Sequence, residues 1–311
     1  LFSVVLNNQS LVRGFNMTRR TLIGHLFAIV VIIFWGMTFV SSKVLLKDFT
    51  PIEILFDRFV IATLALLIFA PKALKFISFK VELYSAFVGL YGVVLYFLCE
   101  NNALVYSNAS NVCLIVSTTP LFVGLINCIL VKKFDLSVNF FLGFVIAITG
   151  IACLSMGTLS LHLNPLGDLL ALGSAIMWAG YNYYVIKLKH ENIDTLIITI
   201  KSFFYSVILT IPCMLYYGYD LKLEALVKPI NIVNYVFLAV LASSFGFYLW
   251  NKAIDILGVV KTNVYIYGTP VVTVVGAIVL IDETITIYTI LGMILAIAGL
   301  VISQLKSKPK T

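Results

Sequence analysis

Glu100, Asn101 and Asn102 interrupt the apolar run YFLCENNALVY with one carboxyl group and two amides. A charged side chain at bilayer depth costs ~2.5–3.5 kcal/mol on insertion scales, so an ionisable group there is a functional candidate by default. Glu100 can accept and release a proton or touch a substrate; the alternative is a structural hydrogen bond to a neighbouring amide or lysine. Asn101 both donates and accepts, so it can bind a substrate or bridge helices. Downstream, Thr119-Pro120 places a proline inside an apolar run. A mid-helix proline frees a carbonyl and favours a kink, for which a neighbouring hydroxyl compensates. The freed carbonyl offers a substrate contact or a hinge, and a static kink is the bland reading.

Other candidates are weaker. Lys43 lies near the end of the first apolar run and Arg58 two turns into the second; both can snorkel toward the interface. Arg58 and Lys201 read as structural, and Glu53 and Asp57 as solvated at the boundary. Asp282-Glu283 precede the last apolar run, where carboxylates suit the positive end of a helix, so capping is favoured over gating. Trp35, Trp178, Tyr265 and Tyr267 either frame a cavity or pack.

Several chemistries lack their residues. His25, His162 and His190 all fall at span boundaries, which argues against an intramembrane enzyme. The five cysteines stand singly, with no CxxC pair and no metal-ligand spacing, so no metal is expected. No GxxxxGK[ST] loop appears, which excludes an ATP-driven pump within this chain, and no motif calls for a cofactor. No basic face with interleaved aromatics points to nucleic acid.

The elements that must position these residues are membrane helices. The chain of 311 residues is 61% hydrophobic and 11% charged, with mean hydropathy +1.06, against about 25% charged in soluble domains. Runs long enough to span as helix are expected at 22–45, 52–70, 82–105, 109–131, 138–156, 165–187, 195–217, 231–253, 259–281 and 286–305. That is an all-α integral membrane protein with ten transmembrane helices, the lipid bilayer being its first partner. With the N-terminus inside, the outer side receives only Lys47, Lys222 and Lys228, while most of the other lysines and arginines fall on the opposite side. Both termini are therefore expected to be cytoplasmic. The +7 net charge reflects this flanking bias. Residues 1–21 read as a cytoplasmic segment and 306–311 as a basic cytoplasmic tail. Met17-Thr18-Arg19-Arg20 reads as the more natural start, with 1–16 an extension.

The chain repeats itself. At a shift of 150, Phe97, Asn101, Ala103, Thr119 and Pro120 fall on Phe247, Asn251, Ala253, Thr269 and Pro270. GHLFA (24–28) meets GDLLA (167–171) at 143, a shift that also places Trp35 on Trp178. GFVIAITG (143–150) meets GMILAIAG (292–299) at 149. Two five-helix repeats, 22–156 and 165–305, follow. Because five is odd, the second is inverted relative to the first, an architecture of secondary transporters with midplane sites. Asn251 and Pro270 thereby join the candidates. The glycines of the fifth and tenth helices read as packing residues, on a face that could also pair two copies into a homodimer.

FWGMTFVSSK, ENNALVYSNASNVCLIVSTTP, SSFGFYLWNKAI and NVYIYGTPVVTVVGAIVLIDETIT together resemble the EamA-type transporters of the drug/metabolite transporter superfamily. The resemblance covers both halves from residue 22. It implies a ten-helix carrier of the bacterial inner membrane whose cavity is lined mainly by helices one, three, four, six, eight and nine. It also implies export of a small metabolite or amino-acid-like compound by alternating access, with Glu100 as the candidate for proton coupling. Lys43 matches a frequent family position, suited to an anionic substrate, and Glu283 a position that commonly holds an acid. A lipid-carrier flippase of the same superfamily is the rival reading.

Overall fold

The computed structural model describes residues 2–131, 138–160 and 164–304. The tail 306–311, Lys132, Lys133 and His162 lie outside the described residues. Among those described, all regular structure is helical. Along the chain run α1 (Phe2–Leu45), α2 (Pro51–Phe69), α3 (Phe79–Tyr106), α4 (Ala109–Val116, resumed as Thr119–Val131) and α5 (Val138–Ser160). Then follow α6 (Leu166–His190), α7 (Thr195–Tyr217), α8 (Pro229–Leu257), α9 (Val259–Asn263, Val264–Gly268 and Thr269–Ile281) and α10 (Ile287–Gln304).

Seven of these are long and apolar enough to cross a membrane: parts or all of α1, α3, α4, α6, α7, α8 and α9. α5 and α10 contribute shorter apolar stretches, and α2 carries Glu53, Asp57 and Arg58 within its 19 residues. The outward surface is greasy: Leu64, Ile68, Phe69, Val145, Val279 and Val301 are all exposed. Helices close their own backbone hydrogen bonds, which is why this surface can face lipid. The chain is a multi-pass membrane protein.

Local chemistry sets the helix ends. Thr50 and Glu53 form a reciprocal capping box, with Pro51 in the first turn of α2. Asp194 accepts from the Leu196 amide at 2.8 Å to start α7. Gly258, at φ +83°, reverses the chain between α8 and α9, a conformation that costs a side-chain-bearing residue more.

Departures from regular helix repeat as well. α3 widens into a π-helical segment at Leu90–Leu95, and α8 does so at Phe237–Phe245, regions that overlap at a shift of 150. α4 breaks at Ser117-Thr118, and α9 tightens into a 3₁₀ turn at Val264–Gly268. Thr119-Pro120 and Thr269-Pro270 each open the next helical stretch. The prolines are thus not mid-helix, as the uninterrupted apolar runs suggested. They occupy first turns, where the missing N–H had no helical partner. Hydroxyls bond the carbonyls ahead of them: Thr119 to Val116 at 2.6 Å, Ser117 to Cys113 at 2.8 Å, and Thr269 to Ile266.

The small-residue faces of α5 and α10 are spent on each other. A methyl group on Gly143 would lie 2.3 Å from the Gly299 carbonyl oxygen, and one on Gly150 2.7 Å from the Ala296 nitrogen. Close backbone approach of this kind is what such faces permit. α10 thus fills this face of α5 within the chain.

At the end of the bundle holding the α1–α2 corner, the α7–α8 connection is strapped across to it. Lys222 donates to Glu53 at 3.0 Å, while Lys228 and Asn231 both reach Asp48 at 2.7 Å. Tyr219 donates to Asp57 at 2.8 Å. The bond from Lys228, then that from Asn231, holds the Asp48 carboxyl below its ordinary range.

Candidate functional site

Where the widened α3 and α8 meet the broken α4 and α9, they enclose a cavity with α1, α2 and α6. The space open to water centres is about 40 Å³, room for a few waters. Its wall is aromatic. Trp35 meets Trp178 edge to face with ring centroids 5.2 Å apart, and Tyr96 and Phe247 pack on Trp178 at 5.1 and 5.7 Å. Such pairs add ~0.5–1.5 kcal/mol beyond the area they bury. The Trp35 indole donates to the Ala242 carbonyl, inside the π-helical segment of α8, at 3.0 Å. Departure from the α-helical bonding pattern there leaves carbonyls for side chains to use.

Two opposite charges face this space. Glu100 on α3 and Arg58 on α2 both line it, and each is 1% exposed. Arg58 Nε donates to Ser243 at 2.7 Å, and its guanidinium carbon lies 4.3 Å from the Phe97 ring centre and 5.3 Å from that of Phe59. Tyr96, one helical turn before Glu100 on α3, lines the same space. Beyond these contacts, Arg58 Nη1 and Glu100 Oε1 have no hydrogen-bond partner among the described residues. Thr38, Ser117, Thr119 and Thr269 add hydroxyls to the lining.

Of the residues anticipated from sequence, Trp35, Glu100, Thr119 and Trp178 lie on this wall. Asn101 and Asn251 do not, nor do they face each other. Asn101 Nδ2 donates to the Pro51 carbonyl of α2 at 3.2 Å; Asn251 Nδ2 donates to Thr199 of α7 at 3.3 Å and its carbonyl accepts from Tyr181 at 3.0 Å. Both act as bridges to the preceding helix. Glu100 turns to the cavity, while Asn101, about 100° further round α3, turns to α2. Pro120 and Pro270 are buried in their helix starts. Tyr265 sits 2.5 Å from His25 Nδ1, and Tyr267 packs with Leu121, Phe140 and Ala147, away from the cavity.

Lys43 lines a second, wider recess of about 450 Å³, together with Leu104, Asn108 and Glu283. Its ammonium donates to the carbonyls of Leu104 and, at 2.8 Å, of Ser107. Glu283 accepts from the amides of Ala109 and Ser110 at 3.0 and 3.1 Å. It therefore caps α4, not α10, because α10 begins only at Ile287.

The EamA-like transporter family matches the chain twice, at residues 22–156 and 165–304. The protein belongs to the EamA-like transporter family. It is 25% identical over 291 residues to an uncharacterized transporter of Archaeoglobus fulgidus, covering 91% of this chain and 97% of that one. It is also 23% identical to the uncharacterized transporter YvbV of Bacillus subtilis, covering 89% and 90%. A solved crystal structure superposes with a TM-score of 0.62 at 17% identity, over 92% of this chain and 96% of the other, and shares the fold. The protein is a membrane transporter of the EamA type.

Within this EamA chain, Arg58, which the sequence reading takes as structural, lines the cavity, as do Tyr96 and Phe97, which sequence reasoning did not single out. A signal for Arg58 existed. Its repeat mate Lys201 is buried against Glu82, with Nζ–Oε contacts of 2.7 and 3.0 Å, and also donates to the Lys75 carbonyl. At the 150 shift, Glu82 falls on Ile232, so only one of the two related cations has an acid waiting for it.

Proposed function

We propose that this EamA-family protein is a secondary carrier exporting a small metabolite across a bacterial inner membrane. Ten spans are arranged as two inverted halves, 22–156 and 165–305, with both termini in the cytoplasm. Transport runs by alternating access, with the aromatic cavity between the halves as the binding site. One observation carries this reading: a buried carboxylate and a buried guanidinium face the same small cavity, built jointly by helices of both repeats. At about 40 Å³ the cavity represents an occluded conformation, from which rocking of one half against the other would open either side. Glu100, the acid in this cavity, is the site of proton exchange that couples transport to a proton gradient.

Untargeted mass spectrometry of medium and cell extract from a bacterial host tests this. The host carries wild type, Glu100→Gln at matched expression, or an empty vector. A compound accumulating outside only with wild type is the expected result, and export undiminished by the variant would remove Glu100 from the mechanism. Single cysteines at Thr38 and Thr119, in a background lacking the native ones, should react with aqueous reagents in a conformation-dependent manner. Inertness in every state would take this cavity off the transport path.

A further inference from the structure

GHLFA (24–28) and its mate GDLLA (167–171) open the two repeats, and each sets a glycine against the other half of the chain. A methyl group on Gly24 would lie 2.8 Å from Ile256 Cγ2, 2.9 Å from Leu257 Cγ and 3.1 Å from Ile256 Cβ. One on Gly167 would lie 2.9 Å from Ser107 Cβ, 3.0 Å from the Ala103 carbonyl oxygen and 3.1 Å from Tyr106 Cβ. At the shift of 150, Tyr106-Ser107 falls on Ile256-Leu257. One contact is therefore made twice: the opening helix of each repeat receives, at its glycine, the turn that ends the third helix of the other. The residue after each glycine also reaches across. Asp168 accepts from the Ser107 hydroxyl at 3.3 Å, and His25 Nδ1 lies 2.5 Å from the Tyr265 hydroxyl of α9.

The two seats lie at opposite ends of the bundle. Lys43, at the far end of α1 from Gly24, donates to the carbonyl of Ser107, which is seated at Gly167. Trp35 follows Gly24 by eleven residues and Trp178 follows Gly167 by the same interval, about 16 Å of helix. The cavity wall is thus central, and the seats are near the limits of an apolar core ~30 Å thick. The α3–α4 pair carries Tyr96, Glu100 and Thr119 of that wall, and the α8–α9 pair carries Phe247, Ile266 and Thr269. Lifting either turn off its glycine parts the wall on that side. Resting on the carrier reading above, we infer that Gly24 and Gly167 seat the two gates. The α8–α9 turn closes one end on Gly24, the α3–α4 turn closes the other on Gly167, and each cycle opens one while the other stays shut. The seats differ in tolerance. Gly167 faces a carbonyl and two Cβ atoms, all fixed by the backbone, so even alanine there displaces the turn. Gly24 faces chiefly the branch atoms of Ile256 and Leu257, which can turn aside, so a larger side chain is needed to wedge it.

The test uses the full chain with Thr38→Cys as its one thiol, in intact cells and in inverted membrane vesicles. A membrane-impermeant maleimide is the probe, and modification at position 38 is read by mass spectrometry. Gly24→Leu should raise labelling about tenfold from the face at which α8 ends and lower it from the other, and Gly167→Leu should do the reverse. Gly167→Ala should show part of its shift and Gly24→Ala little. Should a leucine variant fail to fold, staples replace the wedges. Gly24→Cys with Ile256→Cys, and Gly167→Cys with Tyr106→Cys, bring Cβ atoms near the usual ~3.5–4.5 Å of a disulfide. Each staple should block labelling from its own face alone, and a reducing agent should restore it. Wedges that shift labelling toward the same face, or staples that leave both faces open, overturn the proposal. If position 38 labels from each face in wild type and neither wedge moves the balance, the seats fail and the carrier reading stands. A position 38 that is inert in wild type and in every variant removes the cavity from the transport path, and the gates with it.

Discussion

Lys43 and Glu283 grip the two sides of one turn: the lysine donates to the carbonyls that end α3, and the glutamate accepts from the amides that begin α4. Each charge sits at the helix end of opposite sign. The α3–α4 turn, which separates Glu100 from Thr119, is therefore held by α1 and by the link between α9 and α10.

Removing either grip should loosen that turn. Glu283→Ala is expected to cost about 1–2 kcal/mol, as for loss of a helix cap, and Lys43→Met somewhat less. Because both act on one turn, the double variant should lose less than the two single losses added together. Thermal unfolding followed by circular dichroism checks this, and strict additivity would mean the contacts are independent.

The repeat-related cations should respond oppositely to substitution. Lys201→Met leaves Glu82 buried without its ammonium partner, and breaking such a pair costs about 3–5 kcal/mol. Arg58→Gln breaks no ion pair and takes its contacts from Ser243 and two ring faces, so its stability loss should be smaller while transport is abolished. Comparing unfolding midpoints with export rates for the two variants gives the contrast. A large stability loss for Arg58→Gln would make that residue structural.

Gly143→Leu or Gly299→Leu should disrupt the α5–α10 contact, since even a methyl group at either position would lie within 2.5 Å of backbone on the facing helix. Overpacking of this kind costs about 1–3 kcal/mol or more. Expression and monodispersity in detergent are the readouts. Well-folded protein that has merely changed its oligomeric state would show that the glycines serve subunits instead.

The Asp48 tie in the strap between α7 and α8 should hold until strongly acid conditions. The Asp48 carboxyl is held below 3.8 by Lys228 and Asn231. Its contribution is complete above the ordinary carboxylate value and is lost as pH falls through the lowered one. Pepsin should thus cut within 218–228 only well below 3.8, whereas Asp48→Asn should expose Lys222 to trypsin at neutral pH. Equal trypsin resistance in wild type and variant would remove Asp48 from the latch.

Much of this architecture was legible because it depends on composition and repetition. Hydropathy marks the helices, and the shifts of 143 and 150 pair Trp35 with Trp178 and Thr119 with Thr269, all four of which reach the cavity wall. What escaped was facing. Whether Glu100 or Asn101 turns inward is a matter of helix rotation, which neighbours in sequence share equally and only packing decides. The unwinding ahead of Pro120 and Pro270 escaped for a related reason. An apolar run looks the same whether its backbone is α-helical, π-helical or briefly broken. The sequence marks Glu283 as a cap, but its client lies 173 residues away, across a tertiary contact that no local pattern records.

The chain's three tryptophans are Trp35, Trp178 and Trp250, and all belong to one cluster, with Trp35 5.2 Å from Trp178 and 4.8 Å from Trp250. No indole lies elsewhere to dilute the signal. The protein's ultraviolet emission is consequently a label-free optical report from the cavity wall. Quenching or a wavelength shift on adding a ligand, or on rapid mixing, would follow the opening of that space in real time without any dye attached.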